Sequence, residues 1–194
     1  MTARTGMSEL IDVLRGMVEA GSADYTLGTA TFWDGDQMQR VLDRNRLDVY
    51  REPLTMIEKH AGGGTINYYE HHSQYDNFEQ TTGGPAIFII KDAAGTDRAS
   101  SGYTVDYLNG KVTFAADTAG TTLYLTGRSY DLNGAAAEIW RHKAAHFSAT
   151  NFDWATDNMR VSRSQAQQHY RDMANYYAGL ARPRIITLVR NDVV

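Results

Sequence analysis

The sequence predicts an α+β fold: a small bundle of four helices, a β-rich insertion between the second and third helices, and an extended C-terminal tail. Three observations lead there. Apolar residues recur at helical spacing near both ends of the chain, the spacing switches to two-residue alternation from Val49 to Arg128, and a β-branched run follows Pro183. In residue terms the bundle takes 1–48 and 129–182, the inserted β module 49–128, and the tail 183–194. A chain of 194 residues, 42% of them hydrophobic and only three of them proline, can bury a sizeable core and does not read as a linker.

The first helix is expected over Ser8 to Ala20, where Leu10, Val13, Leu14, Met17 and Val18 form a stripe and Gly21 can end it. After a threonine-rich connector, Asp34 and Gln37 stand three residues apart as a capping box for a second helix striped by Met38, Val41 and Leu42. Short strands follow, interrupted by glycine at Gly62 to Gly64 and by Gly83-Gly84-Pro85. The clearest strand pair is YTVDYLNGKVTF, where Asn109-Gly110 suits a two-residue type I′ turn. Asp131 then caps a third helix carrying Leu132, Ala135, Ala136, Ile139, Trp140, Ala144 and Phe147. A break at Asn151 to Val161 precedes a last helix, capped by Ser162 with Gln165 and striped by Ala166, Tyr170, Met173, Ala174, Tyr177 and Ala181. Pro183 stops it, and RIITLVRNDVV is left as a strand with no neighbour in sequence to pair with.

Composition excludes several classes of function. With no cysteine, disulfides, thiol catalysis and thiolate metal sites are absent, and assembly in a reducing cytoplasm is the expectation. The opening MTARTGMSELIDVLRG holds no signal-type apolar run, and no window approaches the roughly 20 apolar residues that cross a bilayer. Nineteen basic and twenty-three acidic residues give a net charge of −4, which disfavours a broad grip on nucleic acid and does not exclude a protein that DNA slides past.

No catalytic residue, metal or cofactor is expected. Glu138, His142 and His146 share one helix face at i+4 steps, a possible zinc geometry, yet such residues more often solvate a helix edge. His71 and His72 would point to opposite faces of a strand, and with His60 they read as surface residues. Gly62 to Gly64 lacks the lysine-serine or lysine-threonine of a phosphate cradle and reads as a hairpin loop. Twelve tyrosines could stack on sugars, but strands and subunit interfaces use aromatic residues too. The bland reading covers Tyr103, Tyr107, Tyr124, Tyr176 and Tyr177. Arginines gather late, at 163, 171, 182, 184 and 190; a helix C-terminus accounts for Arg182, and contact with a partner for Arg184 and Arg190.

One stretch carries a family likeness: GRSYDLNGAAAEIWRHKAAHFSATNFDWATDNMRVSRSQAQQHYRDMANYYAGLARP. Its Tyr130-Asp131-Leu132 start, alanines 135 to 137, Trp140, aromatic link from Phe152 to Met159, Arg163-Ser164-Gln165, Tyr176-Tyr177 and basic Arg182 to Arg184 resemble the closing part of siphophage head-to-tail adaptor (head-tail connector, head completion) proteins. A weaker echo lies in Trp33 to Thr55, and together the two cover somewhat under half the chain.

The resemblance implies a structural virion protein and not an enzyme. It would form a ring of twelve copies beneath the portal protein at the head-tail junction, extend the DNA channel, and offer a docking surface to the tail or to a neck protein (a stopper or tail-completion protein). Genomic DNA would pass without sequence-specific binding, and no membrane would be involved. The tail would enter the portal by β-augmentation, with Arg184, Ile186, Leu188 and Arg190 as contacts. Trp140, Tyr170 and Tyr177 would serve a subunit interface or the packing of the bundle. The alternative is a virion-associated β module that binds carbohydrate or a receptor.

Overall fold

The computed structural model describes residues 3–21, 24–27, 30–82, 85–149, 154–156, 159–161 and 164–183. A 3-10 turn over Thr5–Met7 runs into helix α1 (Ser8–Met17), which buries Leu10, Ile11 and Leu14 and turns Glu9, Asp12 and Gly16 outward. Glu19, at φ 51°, breaks the helical path beyond Val18. The connector holds a small antiparallel pair, β1 (Tyr25–Leu27) with β2 (Ala30–Phe32). Helix α2 (Gly35–Arg44) starts at the expected capping box: Asp34 Oδ1 accepts from the Gln37 N–H at 2.8 Å, and Gln37 Oε1 accepts from the Asp34 N–H at 3.2 Å.

Seven strands follow: β3 (Arg46–Pro53), β4 (Thr55–His60), β5 (Ile66–His72), β6 (Ile89–Asp92), β7 (Tyr103–Asp106), β8 (Lys111–Phe114) and β9 (Leu123–Tyr130). They make two antiparallel sheets, one ordered β3-β9-β6 and one ordered β4-β5-β8-β7. The β3–β9 register shifts between Val49 and Glu52, where Arg51 sits at φ 49°. Hairpin β7–β8 has a four-residue loop and not a two-residue type I′ turn, since Asp106 pairs with Lys111. Asp106 Oδ1 accepts from the Asn109 N–H at 3.1 Å and stabilises the longer loop. Only Gly110 is left-handed there, and a methyl on it would overlap the Tyr75 carbonyl.

Helix α3 (Leu132–Ala149) and helix α4 (Ser164–Leu180) close the fold as an antiparallel pair, with the short hairpin β10 (Trp154–Thr156) and β11 (Met159–Val161) between them. The side chain of Asn133 at the start of α3 donates to the Leu180 carbonyl at the end of α4, at 3.4 Å. The expected Ser162 cap lies outside the described residues.

The four helices do not form a bundle with a β insertion between the second and third, and that expectation is corrected here. Helices α1 and α2 have ten residues each, about 15 Å of length, and cannot run beside the eighteen-residue α3 and seventeen-residue α4 as equal partners. Only α3 and α4 pack along their lengths. Strand β3 follows α2 after the single residue Asn45, and β9 enters α3 through Asp131, whose N–H donates to the Asn45 carbonyl at 2.9 Å. The three-stranded sheet is therefore continuous with the helices.

The core has two parts. Met7, Leu10, Leu14, Met38, Leu42, Ile139 and Trp140 gather around the helices. Phe78, Phe88, Ile90, Val112, Leu123 and Leu125 fill the space between the sheets. Among the described residues, no helix is long and apolar enough to cross a membrane.

Candidate functional site

The aromatic residues singled out on the closing helices have different fates. Trp140 is completely buried, stacks on Tyr170 with centroids 5.4 Å apart, and donates its indole N–H to the Met17 carbonyl at 3.3 Å. Lys143, one turn on, lies over the Trp140 ring at 4.7 Å and reaches the Val18 carbonyl and Asp24 at 2.5 Å each. Trp140 and Tyr170 thus serve packing among α1, α3 and α4. Tyr177 is half-buried against the exposed Tyr176, its ring 5.2 Å away.

At the far end of α4, Arg182 is fixed from four directions. Its backbone N–H donates to Asp131 Oδ2 at 2.9 Å, while Asp131 Oδ1 caps α3 by accepting from the Gly134 N–H at 3.0 Å. The guanidinium donates to Ser129 Oγ at 2.8 Å, bonds the Asp76 carboxylate, and lies 5.7 Å from the centroid of Tyr75. A charge-assisted network of this kind goes beyond the helix-end electrostatics that first accounted for this arginine. It sets the point from which the chain continues past Pro183. Arg184, Ile186, Leu188 and Arg190 lie outside the described residues.

A basic trough runs across the helices along the face of α3 that carries Arg141, His142 and Ala145. One part, an open groove of about 400 Å³ between α2 and α3, is lined by Phe32, Trp33, Arg40, Arg44, His142 and His146 among others. A second, of about 420 Å³ between α3 and α4, is lined by Arg141, Ala144, Ala145, Arg171, Ala174 and Asn175. Ala145 lines both parts, which places them next to each other. Among the described residues, no carboxylate lines either part. Arg44 is neutralised by Glu138, whose Oε1 accepts from Arg44 Nε at 2.8 Å, whereas Arg40, Arg141 and Arg171 have no ion pair among the described residues.

Trp33, at the groove's edge, is buried at φ 66°, a costly conformation for a bulky residue, with no hydrogen-bond partner for its indole nitrogen. Gln37 accepts from its backbone N–H and Arg15 donates to its carbonyl at 3.3 Å, which holds the strained residue in place. Sequence reasoning missed this surface. Arg40 and Arg44 at i, i+4 were its only signal.

The helix-face trio does not converge as a set of ligands among the described residues. Glu138 is taken by Arg44 and by Asn45 Nδ2 at 3.3 Å, His142 packs its ring edge against Trp33, and His146 stacks on Phe32. Among the described residues, no three histidine or carboxylate side chains converge as metal ligands. Two of the β-module tyrosines pack against the core, Tyr107 meeting Phe88 edge-on at 5.2 Å and Tyr103 leaning on Phe114 at 5.4 Å, whereas Tyr50 is exposed.

His71 corrects a second expectation. It is fully buried, not a surface residue, because β5 is an inner strand and alternation turns His71 into the sheet core beside Phe114. His72 turns outward and pairs with Glu70 at 2.9 Å. Thr118 gives its hydroxyl proton to the Tyr68 carbonyl at 2.8 Å, so it accepts from His71 Nε2–H at 3.1 Å and leaves His71 Nδ1 bare and unpartnered. Burial therefore pushes the imidazole pKa down.

The unfolded chain takes up this proton near pH 6.5 and the folded one only at lower pH, so the unfolded state binds more protons in between. Stability from this group is complete above about pH 6.5 and is lost as pH falls below it, with a slope of at most about 1.4 kcal/mol per pH unit. Urea midpoints between pH 7.5 and 5 should fall less steeply for His71→Met than for the wild type. Equal slopes would show that His71 titrates normally.

The chain matches no family model, no curated protein and no solved structure.

Proposed function

We propose that this protein is a head-to-tail adaptor of a long-tailed bacteriophage, a structural virion component at the head-tail junction. In this reading it forms a ring beneath the portal, extends the DNA channel and presents a docking surface to the tail. The observation that carries the reading is the Arg182 anchor. By holding the end of α4 to Asp131, Ser129 and Asp76, it lets an apolar, β-branched segment start from a fixed place on a rigid body. Preorganisation of that sort lowers the ordering cost when a segment docks on a partner.

The residues that carry the family resemblance also hold the junction together, which supports the same reading. Tyr130 is buried at the end of β9, Asp131 both caps α3 and binds Arg182, and Trp140 locks α3 to α1 and α4.

The test is a parent phage with a nonsense codon early in this reading frame, its lysate viewed by electron microscopy. DNA-filled or leaking heads beside free, complete tails are the expected result. Normal joined particles that fail to adsorb would overturn the reading in favour of a receptor-binding module. Complementation by a gene lacking codons 184–194 should leave heads and tails as separate as in the nonsense mutant, while Tyr50→Ala, on an exposed strand position, should restore joined particles.

A further inference from the structure

We infer that copies of this chain associate front to back, the outer face of α1 on one copy seating in the basic trough of α2, α3 and α4 on the next. The inference rests on the ring reading above and names the two surfaces that build it.

The outer stripe of α1 is acidic. Glu9, Asp12 and Gly16 are exposed at steps of three and four residues along α1, and exposed Glu19 follows just past the helix end; Glu9 accepts from Gln80 Nε2, and Asp12 has no hydrogen bond or ion pair among the described residues. The trough opposite supplies Arg40, Arg141 and Arg171, none with an ion pair among the described residues. Unpaired charge of one sign on one face and of the other sign elsewhere, in a protein of net charge −4, is electrostatic complementarity between copies.

The two surfaces point in opposite directions. Along α3, Trp140 and Lys143 reach α1 through Met17 and Val18, whereas Arg141 and Ala145 line the trough. At 3.6 residues per turn these two pairs lie roughly 150° apart around the helix. A contact joining two different, opposed faces is heterologous, and repeating it produces a closed ring or an open filament but never a two-fold dimer.

Shape agrees with charge. Gly16 sits inside α1 with open space around it, so nothing within its own chain requires a glycine at a position where alanine is the better helix former. Ala145 is exposed and lines both parts of the trough. A glycine on one surface and an alanine on the other let two helices approach closely.

Sedimentation velocity at low salt tests the proposal with two charge-reversed proteins, D12K/E19K and R141E/R171E. All four side chains are exposed, and unchanged circular dichroism and thermal midpoints confirm that each variant folds. The wild type should associate weakly and lose association as salt rises. Each variant alone should associate at least tenfold more weakly, and an equimolar mixture should regain association, because alternating copies restore opposite charges at every contact. Gly16→Leu should block association in the unreversed protein.

Monomeric wild type at millimolar concentration, undiminished association of either variant, or a mixture no better than its parts would overturn the proposal. So would duplex DNA binding by the wild type that R141E/R171E abolishes without affecting association, since the trough would then belong to nucleic acid. The lysate experiment is independent: heads that fail to join tails while the mixture stays monomeric would keep the adaptor reading and reject only these surfaces.

Discussion

Trp140→Ala is expected to lower the stability of the fold by about 3–5 kcal/mol, the largest effect of any single truncation in the helical core. The side chain is fully buried and its ring joins three helices: it lies on α3, bonds the end of α1 through the Met17 carbonyl, and stacks on Tyr170 of α4. Truncation removes the burial of the indole, an aromatic pair worth about 0.5–1.5 kcal/mol, and the ring under the Lys143 ammonium. Lys143 is itself buried and keeps only the Val18 carbonyl and Asp24. The cavity cannot collapse easily, because α3 and α4 are held at their far end by Asp131, Arg182 and Asn133. Tyr176→Ala, 59% exposed, should stay within about 0.5 kcal/mol of the wild type. Urea unfolding followed by far-ultraviolet circular dichroism separates the two outcomes, and a loss below about 1 kcal/mol for Trp140→Ala would remove Trp140 from the core.

What the sequence made legible was local. The capping box at Asp34 and Gln37, the cap at Asp131 and the alternation of YTVD and KVTF each specify an element from a few neighbouring residues, and each element is present. Long-range pairing was less visible. Nothing in Arg46-Leu47-Asp48 marks it as the partner of Arg128-Ser129-Tyr130, so the sheet appeared to be an insertion, although its edge strand begins one residue after α2. The turn type failed for a related reason: Asn-Gly signals a tight turn, but Asp106 offers a competing hydrogen bond that favours a longer loop. His71 was misread because its neighbour His72 is the same residue type and only half-buried, and knowledge that β5 is an inner strand is what tells the two apart. The trough combines Arg40 with Arg141 and Arg171, three positions that no sequence period connects. The Arg182 anchor joins residues 106 apart in sequence.

The same limitation hid the buried ion network that ties the start of the chain to the sheet, where the second large effect is expected. Glu79 is 1% exposed, and its carboxylate accepts from Arg4 Nε at 2.8 Å, from the Tyr130 hydroxyl at 2.7 Å and, at 3.5 Å, from Arg128. Arg4 also forks onto Asp43 of α2, at 2.7 and 3.1 Å. The hydrogen bond to Asp43 is the main reason the guanidinium pKa lies above its ordinary value, with Glu79 adding to it. Burial, then the bond to Glu79, raises that of the Tyr130 hydroxyl.

Glu79→Ala leaves that hydroxyl buried without an acceptor and deprives Arg4 of its less exposed partner. Breaking a buried pair from one side costs roughly 3–5 kcal/mol. Arg4 is 38% exposed and retains Asp43, so water screens part of the loss and the lower end, about 3 kcal/mol, is expected. Tyr130→Phe removes one bond to a charged acceptor and should cost about 1.5–3 kcal/mol. The double variant should cost less than the sum, because the hydroxyl orphaned by Glu79→Ala is then gone. Glu58→Ala, an exposed carboxylate on β4, should change stability by no more than about 0.5 kcal/mol. If urea unfolding finds Glu79→Ala as mild as Glu58→Ala, or the pair strictly additive, then the amino-terminal segment is held by apolar packing of Met7 and not by this network.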